Sequence, residues 1–169
     1  MRSFRAAIVT VSDTGFAGER VDESGPLIRD MLIQGGYEVV LYRILPDERT
    51  ELAAYLRDLC DRHEADLVLT TGGTGFSPRD YTPEATLDIA ERLVPGIPEL
   101  MRAYSLQKTD RAILSRSVAV IRKQTLIVNL PGSPRAAQEN LESILPALEH
   151  GLAILGGTAH NCARPLGSV

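Results

Sequence analysis

Residues 66–86 read DLVLTTGGTGFSPRDYTPEAT, and their order settles the class of fold. Asp66–Thr71 is a short apolar run with the character of a β-strand. It passes directly into Gly72-Gly73-Thr74-Gly75, where glycine permits backbone conformations that other residues avoid. Thr82-Pro83-Glu84 then carries the marks of a helix start. Thr82 offers a capping hydroxyl, proline fits the first turn, and an acid faces the positive end of the helix. A strand, a glycine-rich loop and a helix in succession form the repeating unit of an α/β protein.

The pattern repeats on both sides of this stretch. Upstream, Arg5–Ser12 (RAAIVTVS) predicts a strand buried on both faces. Ser24-Gly25-Pro26 opens a helix with Ser24 as its cap, and Gly35-Gly36 ends it. Tyr37–Leu45 predicts a second strand and Thr50–His63 a helix with Leu52, Leu56, Leu59 and Cys60 on one stripe. Downstream, the Pro-rich break at 94–98 precedes a helix over Pro98–Gln107. Ser117–Ile121 and Thr125–Leu130 are β-type runs close enough to pair as a hairpin. After Pro131–Pro134, Ala136–Leu155 has a helical pattern, with Pro146 marking a kink or a restart. The expected fold is α/β, a three-layer sandwich with a mainly parallel sheet, helices on both faces and one antiparallel hairpin-like element. The length of 169 residues predicts a single domain over 1–169.

Composition excludes several classes of function. Hydrophobic residues make up 44% of the chain and aromatics only 5%, so the core is built of aliphatic side chains. The net charge of −4 speaks against general nucleic-acid binding, which needs a basic surface. The N-terminal apolar run is too short to span a membrane. Two cysteines, Cys60 and Cys162, build neither a disulfide framework nor a C-x-x-C metal site, which fits a reducing, cytoplasmic setting. His160 beside Cys162 adds too few ligands for zinc. Basic residues cluster locally at Arg102, Lys108, Arg111, Arg116, Arg122 and Lys123, against Asp110 alone. The ordinary reading is a solvated surface, the sharper one a landing site for an anion.

In open parallel sheets, ligands bind beyond the carboxyl ends of the strands. Four such ends carry polar or glycine-rich residues here: Ser12-Asp13, Asp47, Gly72–Gly75, and the segment Asn129-Pro131-Gly132-Ser133. The glycine loop is neither a P-loop nor the dinucleotide fingerprint. Its glycines nevertheless let backbone N–H groups approach a phosphate. Asp47 and Asp80 are the acids best placed to hold Mg²⁺, a hard ion that bridges triphosphate oxygens. Their ordinary alternatives are a helix cap for Asp47 and an ion pair with Arg79 for Asp80. From residue chemistry alone the chain is an α/β binder of phosphate compounds, with Asp47 and Asp80 as candidates for Mg²⁺ and their ordinary alternatives still open.

The segment TTGGTGFSPRDYTPEAT (Thr70–Thr86) resembles the signature of the MogA/MoaB family, which also includes the G domain of gephyrin. VSD (Val11–Asp13), LPDE (Leu45–Glu48), ILSRS (Ile113–Ser117) and NLPGSP (Asn129–Pro134) match in the family's order and span nearly the whole chain. The resemblance implies a cytoplasmic homotrimer that joins molybdopterin and ATP to give adenylyl-molybdopterin and pyrophosphate with Mg²⁺, in molybdenum cofactor biosynthesis. It implies catalytic and metal-handling roles for Asp47 and Asp80. Nucleotide contacts are implied for Ser12, Asp13, Gly72, Gly73, Thr74, Gly75, Asn129, Pro131, Gly132 and Ser133. Ser105, a helix serine unremarkable by itself, is implied to hold molybdopterin, with Ser115 and Arg116 close to the pterin. Hand-off to a molybdate-inserting protein is a further implication. Two other readings stay open on the same fold: a non-catalytic pterin-binding paralogue, and a nucleotide pyrophosphatase related to the competence-damage domain.

Overall fold

The computed structural model describes residues 3–158. Six strands form one sheet: β1 (Arg5–Val11), β2 (Glu38–Leu45), β3 (Leu67–Thr71), β4 (Arg92–Leu93), β5 (Ala119–Arg122) and β6 (Thr125–Leu130). Their spatial order is β2-β1-β3-β6-β5-β4. The first four in that order run parallel, and β5 is antiparallel to both of its neighbours. The β5–β6 hairpin expected from sequence is present, turned at Lys123 with a φ of 53°.

Side chains of a strand alternate between faces, and here the alternation sorts the core into two. Ala6, Ile8, Leu67, Leu69, Leu126 and Val128 point to one face. There they pack beneath α2 (Ser24–Gln34), α5 (Gly96–Leu106) and α6 (Pro134–Leu155), while a one-turn helix, α1 (Asp13–Phe16), follows β1. Ala7, Val9, Val68 and Ile127 point the other way, beneath α3 (Arg49–Asp61) and α4 (Thr82–Leu87). Central strands so flanked read as unbroken apolar runs, which is why β1, β3 and β6 were legible. Each fully buried Leu or Ile, such as Ile8 or Leu69, contributes roughly 1.5–3 kcal/mol. The sandwich is the one expected, and no helix among the described residues is long and apolar enough to cross a membrane.

Several local expectations change. Ser24 is the first residue of α2 and not its cap. Asp22 Oδ1 accepts from the N–H groups of Ser24 (3.0 Å) and Gly25 (3.1 Å), while the Ser24 hydroxyl donates to Gly132 O. Thr82 likewise lies inside α4 and caps nothing; its Oγ1 is buried with no hydrogen-bond partner among the described residues. α3 ends at Asp61, α5 begins at Gly96, and α6 runs without interruption through Pro146. Asp66 lies just outside β3, where its carboxylate accepts from Arg5 N–H at 2.8 Å. His160 and Cys162 lie outside the described residues.

Candidate functional site

Because β1, β2, β3 and β6 are parallel, their carboxyl ends meet at one edge of the sheet. A cavity of about 440 Å³ opens there, lined by Ser12, Asp22, Asp47, Gly72, Gly73, Asp80, Gly132 and Ser133, among others. Its floor is backbone packed against backbone. Gly72 has a φ of 100°, and a Cβ there would strike the carbonyl of Val11 at the end of β1. A Cβ on Gly132 would lie 3.1 Å from Gly72 Cα. Gly73 has a φ of 64°, and the Thr82 hydroxyl occupies the space its side chain would need. Glycine is demanded by both conformation and volume at Gly72 and Gly73, and by volume alone at Gly132.

Asp13 and Asp47 are tied together. Asp13 N–H donates to Asp47 Oδ2 at 2.8 Å, and Asp47 N–H donates to Asp13 Oδ1 at 2.9 Å. Arg79 forks onto Asp13, with Nε 2.6 Å from Oδ2 and Nη2 3.0 Å from Oδ1, and reaches Glu48 at 2.8 Å. Those hydrogen bonds from Arg79 hold the Asp13 carboxyl below its ordinary range. Asp47 is pushed the other way, first by burial and then by the negative charges of Asp13 and Asp80. The structure therefore removes both ordinary explanations of the two acids. The residue that precedes α3 as its cap is Glu48, not Asp47, and Arg79 pairs with Asp13 and Glu48, not with Asp80.

Asp80 closes its own loop by accepting from Ser77 N–H at 3.0 Å through Oδ2. Asp47 Oδ1 and Asp80 Oδ1 accept no hydrogen bond among the described residues. Both acids face the same cavity. The orphaned Thr82 hydroxyl and Asp47 Oδ1 both crowd the point where a Gly73 Cβ would sit. Free hard oxygens of this kind suit Mg²⁺. No cluster of three or more His, Cys, Asp or Glu side chains among the described residues would hold a metal by itself.

A second cavity, of about 460 Å³, lies beside the first. Ser105, Ser115, Arg102, Arg111, Thr74, Gly75, Pro131 and Asn140 line it. Ser133 lines both cavities. The glycine loop divides them, with Gly72 and Gly73 facing one and Thr74 and Gly75 the other.

Three residues expected to touch ligand are used internally instead. Asn129 is fully buried in β6. Its Nδ2 donates to the hydroxyls of Thr70 and Thr86, both at 2.9 Å, and its Oδ1 accepts from Val118 N–H at 3.3 Å. It stitches β3 and β6 to α4, with both amide hydrogens spent within the fold. Asp13 is committed to Arg79 and Asp47. The Arg116 guanidinium donates to the carbonyls of Gly75 and Asp80 and pairs with Glu84, so it braces the loop from within. Of the basic cluster, Arg122 pairs with Asp61, Lys123 with Glu91 and Lys108 with Glu139. Only Arg102 and Arg111 of that cluster line the second cavity.

One residue escaped the sequence reading. Asp22 lines the first cavity, and its Oδ2 accepts from the hydroxyls of Thr10 (2.5 Å) and Tyr42 (2.6 Å). Burial opposes its ionisation, but these donors and the two N–H groups of α2 outweigh it and hold the carboxyl below its ordinary range. Burial and the neighbouring Asp22 push the Tyr42 hydroxyl up to about 12. The signal was an Asp two residues before a helix start, obscured by a serine that looked like the cap itself.

Comparison with known proteins adds a second line of support. A family described as a probable molybdopterin binding domain matches residues 7–150. The chain is 39% identical over 159 residues to the molybdopterin adenylyltransferase of Helicobacter pylori (strain ATCC 700392 / 26695), covering 93% of this chain and 90% of that protein. It is 43% identical over 150 residues to the molybdopterin adenylyltransferase of Escherichia coli K12, covering 87% of this chain and 76% of that protein. Among solved structures, the molybdopterin biosynthesis enzyme MoaB of Thermus thermophilus superposes with a TM-score of 0.86 at 52% identity, over 91% of this chain and 97% of that one.

Proposed function

This chain belongs to the molybdopterin-binding domain family, and we infer from that premise that it is a molybdopterin adenylyltransferase acting in molybdenum cofactor biosynthesis. The observation that carries the reading to its substrates is the pair of cavities separated only by the glycine loop. The acidic cavity at the strand ends takes ATP. The neighbouring one, with Ser105, Ser115, Arg102 and Arg111, takes molybdopterin.

In this assignment an oxygen of the molybdopterin terminal phosphate forms a bond to the α-phosphorus of ATP. The bond from that phosphorus to the bridging oxygen breaks, and pyrophosphate leaves with the electron pair. The attacking phosphate is already ionised at neutral pH, so no side chain has to take a proton. The protein contributes alignment and charge stabilisation. The rigid turns at Gly72–Gly75 and Pro131–Ser133 hold the two substrates on either side of one partition. Asp13, fixed by Arg79, aims Asp47 into the nucleotide cavity. Asp47 and Asp80 would hold Mg²⁺, which when bound supplies positive charge to the leaving pyrophosphate. The exposed side chains of Leu93, Leu100, Ile113 and Leu114 supply apolar surface for a homotrimer. The proposed setting is the cytoplasm, with the product passing to a molybdate-inserting protein.

The test is mass detection of adenylyl-molybdopterin after mixing the chain with molybdopterin and Mg-ATP. Product dependent on all three components is the expected result. Tight pterin binding without product would turn the reading toward a non-catalytic carrier, and ATP hydrolysis without pterin toward a pyrophosphatase.

A further inference from the structure

Asn140 on α6 and Ser105 in the last turn of α5 meet at the wall of the second cavity. Asn140 is 4% exposed, so its amide has few choices of partner. One atom of that amide lies 2.7 Å from Ala136 O. A carbonyl only accepts, so this atom is the nitrogen, Nδ2, and the orientation of the amide is fixed. The same nitrogen donates to Ser105 Oγ at 3.1 Å. The Ser105 oxygen is therefore an acceptor toward Asn140, and its own hydrogen must point elsewhere. Among the described residues it has no acceptor.

We propose that Asn140 is a positioning residue that makes Ser105 a hydrogen-bond donor into the cavity, so that the cavity selects an anionic phosphate oxygen at that point. The surroundings agree with an anion. Arg102 and Arg111 line the same cavity, and its one lining acid, Glu139, is balanced by Lys108 at 3.2 Å and Arg135 at 3.0 Å. A serine near a helix end that lacks such a donor tends to return its hydrogen to the carbonyl four residues back, here Met101 O. Asn140 opposes that outcome. The proposal rests on the reading that molybdopterin occupies this cavity.

The test is a double-mutant cycle read as the Kd for molybdopterin, with the Kd for Mg-ATP measured beside it. Ser105→Ala and Asn140→Leu should each weaken molybdopterin binding about tenfold, the scale of one hydrogen bond to a charged group, and leave ATP binding unchanged. Asn140→Leu in the Ser105→Ala background should cost no more than about twofold further, because the hydroxyl it orients is gone. Asn140→Ala, which removes the amide without adding charge, is the second variant should leucine disturb folding. Its loss should also shrink in the Ser105→Ala background. Losses that multiply in the double variants, or native affinity in Asn140→Leu, overturn the proposal while leaving the cavity assignment standing. A native chain that does not bind molybdopterin overturns both.

Discussion

An Asp47→Asn protein is expected to lose about a hundredfold or more in adenylyl transfer and yet to melt slightly higher than the native chain. The loss follows from weakening the proposed hold on Mg²⁺, since losing one group that stabilises developing negative charge typically costs about 10²–10³ in kcat. The gain follows from the environment of Asp47. Burial raises its pKa in the folded protein, and Asp13 and Asp80 add to that. A raised carboxyl favours folding only at low pH, and that contribution is lost as pH rises through the folded value. Above that value the ionised form is a burden. Asparagine removes it while its side-chain oxygen still accepts the Asp13 N–H now bonded at 2.8 Å. Partial solvent screening limits the gain to about 1 kcal/mol, or 2–4 °C in melting temperature. The difference should shrink as pH falls below the ordinary carboxylate range, where both side chains are neutral. Melting curves from acid to neutral pH, paired with turnover, check both halves. A variant less stable than native at neutral pH would mean that Asp47 is a structural anchor and not a strained functional group.

Gly72→Ala should be the most damaging single methyl in the chain. Two penalties coincide at this residue. A φ of 100° lies in a region that alanine rarely enters, at a cost of about 1–3 kcal/mol. The added carbon also collides with the Val11 carbonyl, which is main chain at the end of a central strand and cannot rotate away. Together they should lower stability by about 3 kcal/mol or more, near 10 °C in melting temperature. Gly96→Ala makes the control, since nothing lies within 4 Å of a Cβ there. Thermal unfolding of the two variants gives the comparison. Equal melting temperatures would show that the strand ends can spread to admit a side chain.

Much of the frame could be read from residue order, because it rests on short-range rules. An apolar run followed by glycines and a Thr-Pro-Glu start is a strand, a turn and a helix whatever its partners, and β3 and α4 appear where that rule puts them. The edge of the sheet that gathers Asp47, Asp80, Gly72 and Ser133 follows from the parallel order. Partner choice did not follow. Arg79 stands beside Asp80 in sequence but bonds Asp13, which is 66 residues away. Asn129 and Arg116 have the residue types of ligand contacts, yet each is spent on neighbours brought in by the fold. The basic cluster is one charge block along the chain, but Arg122 and Lys123 lie at the hairpin, away from Ser105. Donor and acceptor inventories are written in the sequence; which ones remain unspent is decided only by three-dimensional pairing.

The pinched glycine floor has a consequence for how the molecule breathes. Gly72 N–H donates to Leu130 O, the Thr71 hydroxyl to Pro131 O, Thr82 N–H to Gly73 O and Arg116 N–H to Thr74 O. These bonds join the loop to β6, α4 and the segment leading into β5, with no slack chain between them. Binding loops usually belong to the least protected part of a protein and open many times for each global unfolding. Here the Gly72, Thr82 and Arg116 amides that tie the loop down are hung on the body of the sheet. They should exchange their hydrogens with solvent only when the sheet itself comes apart.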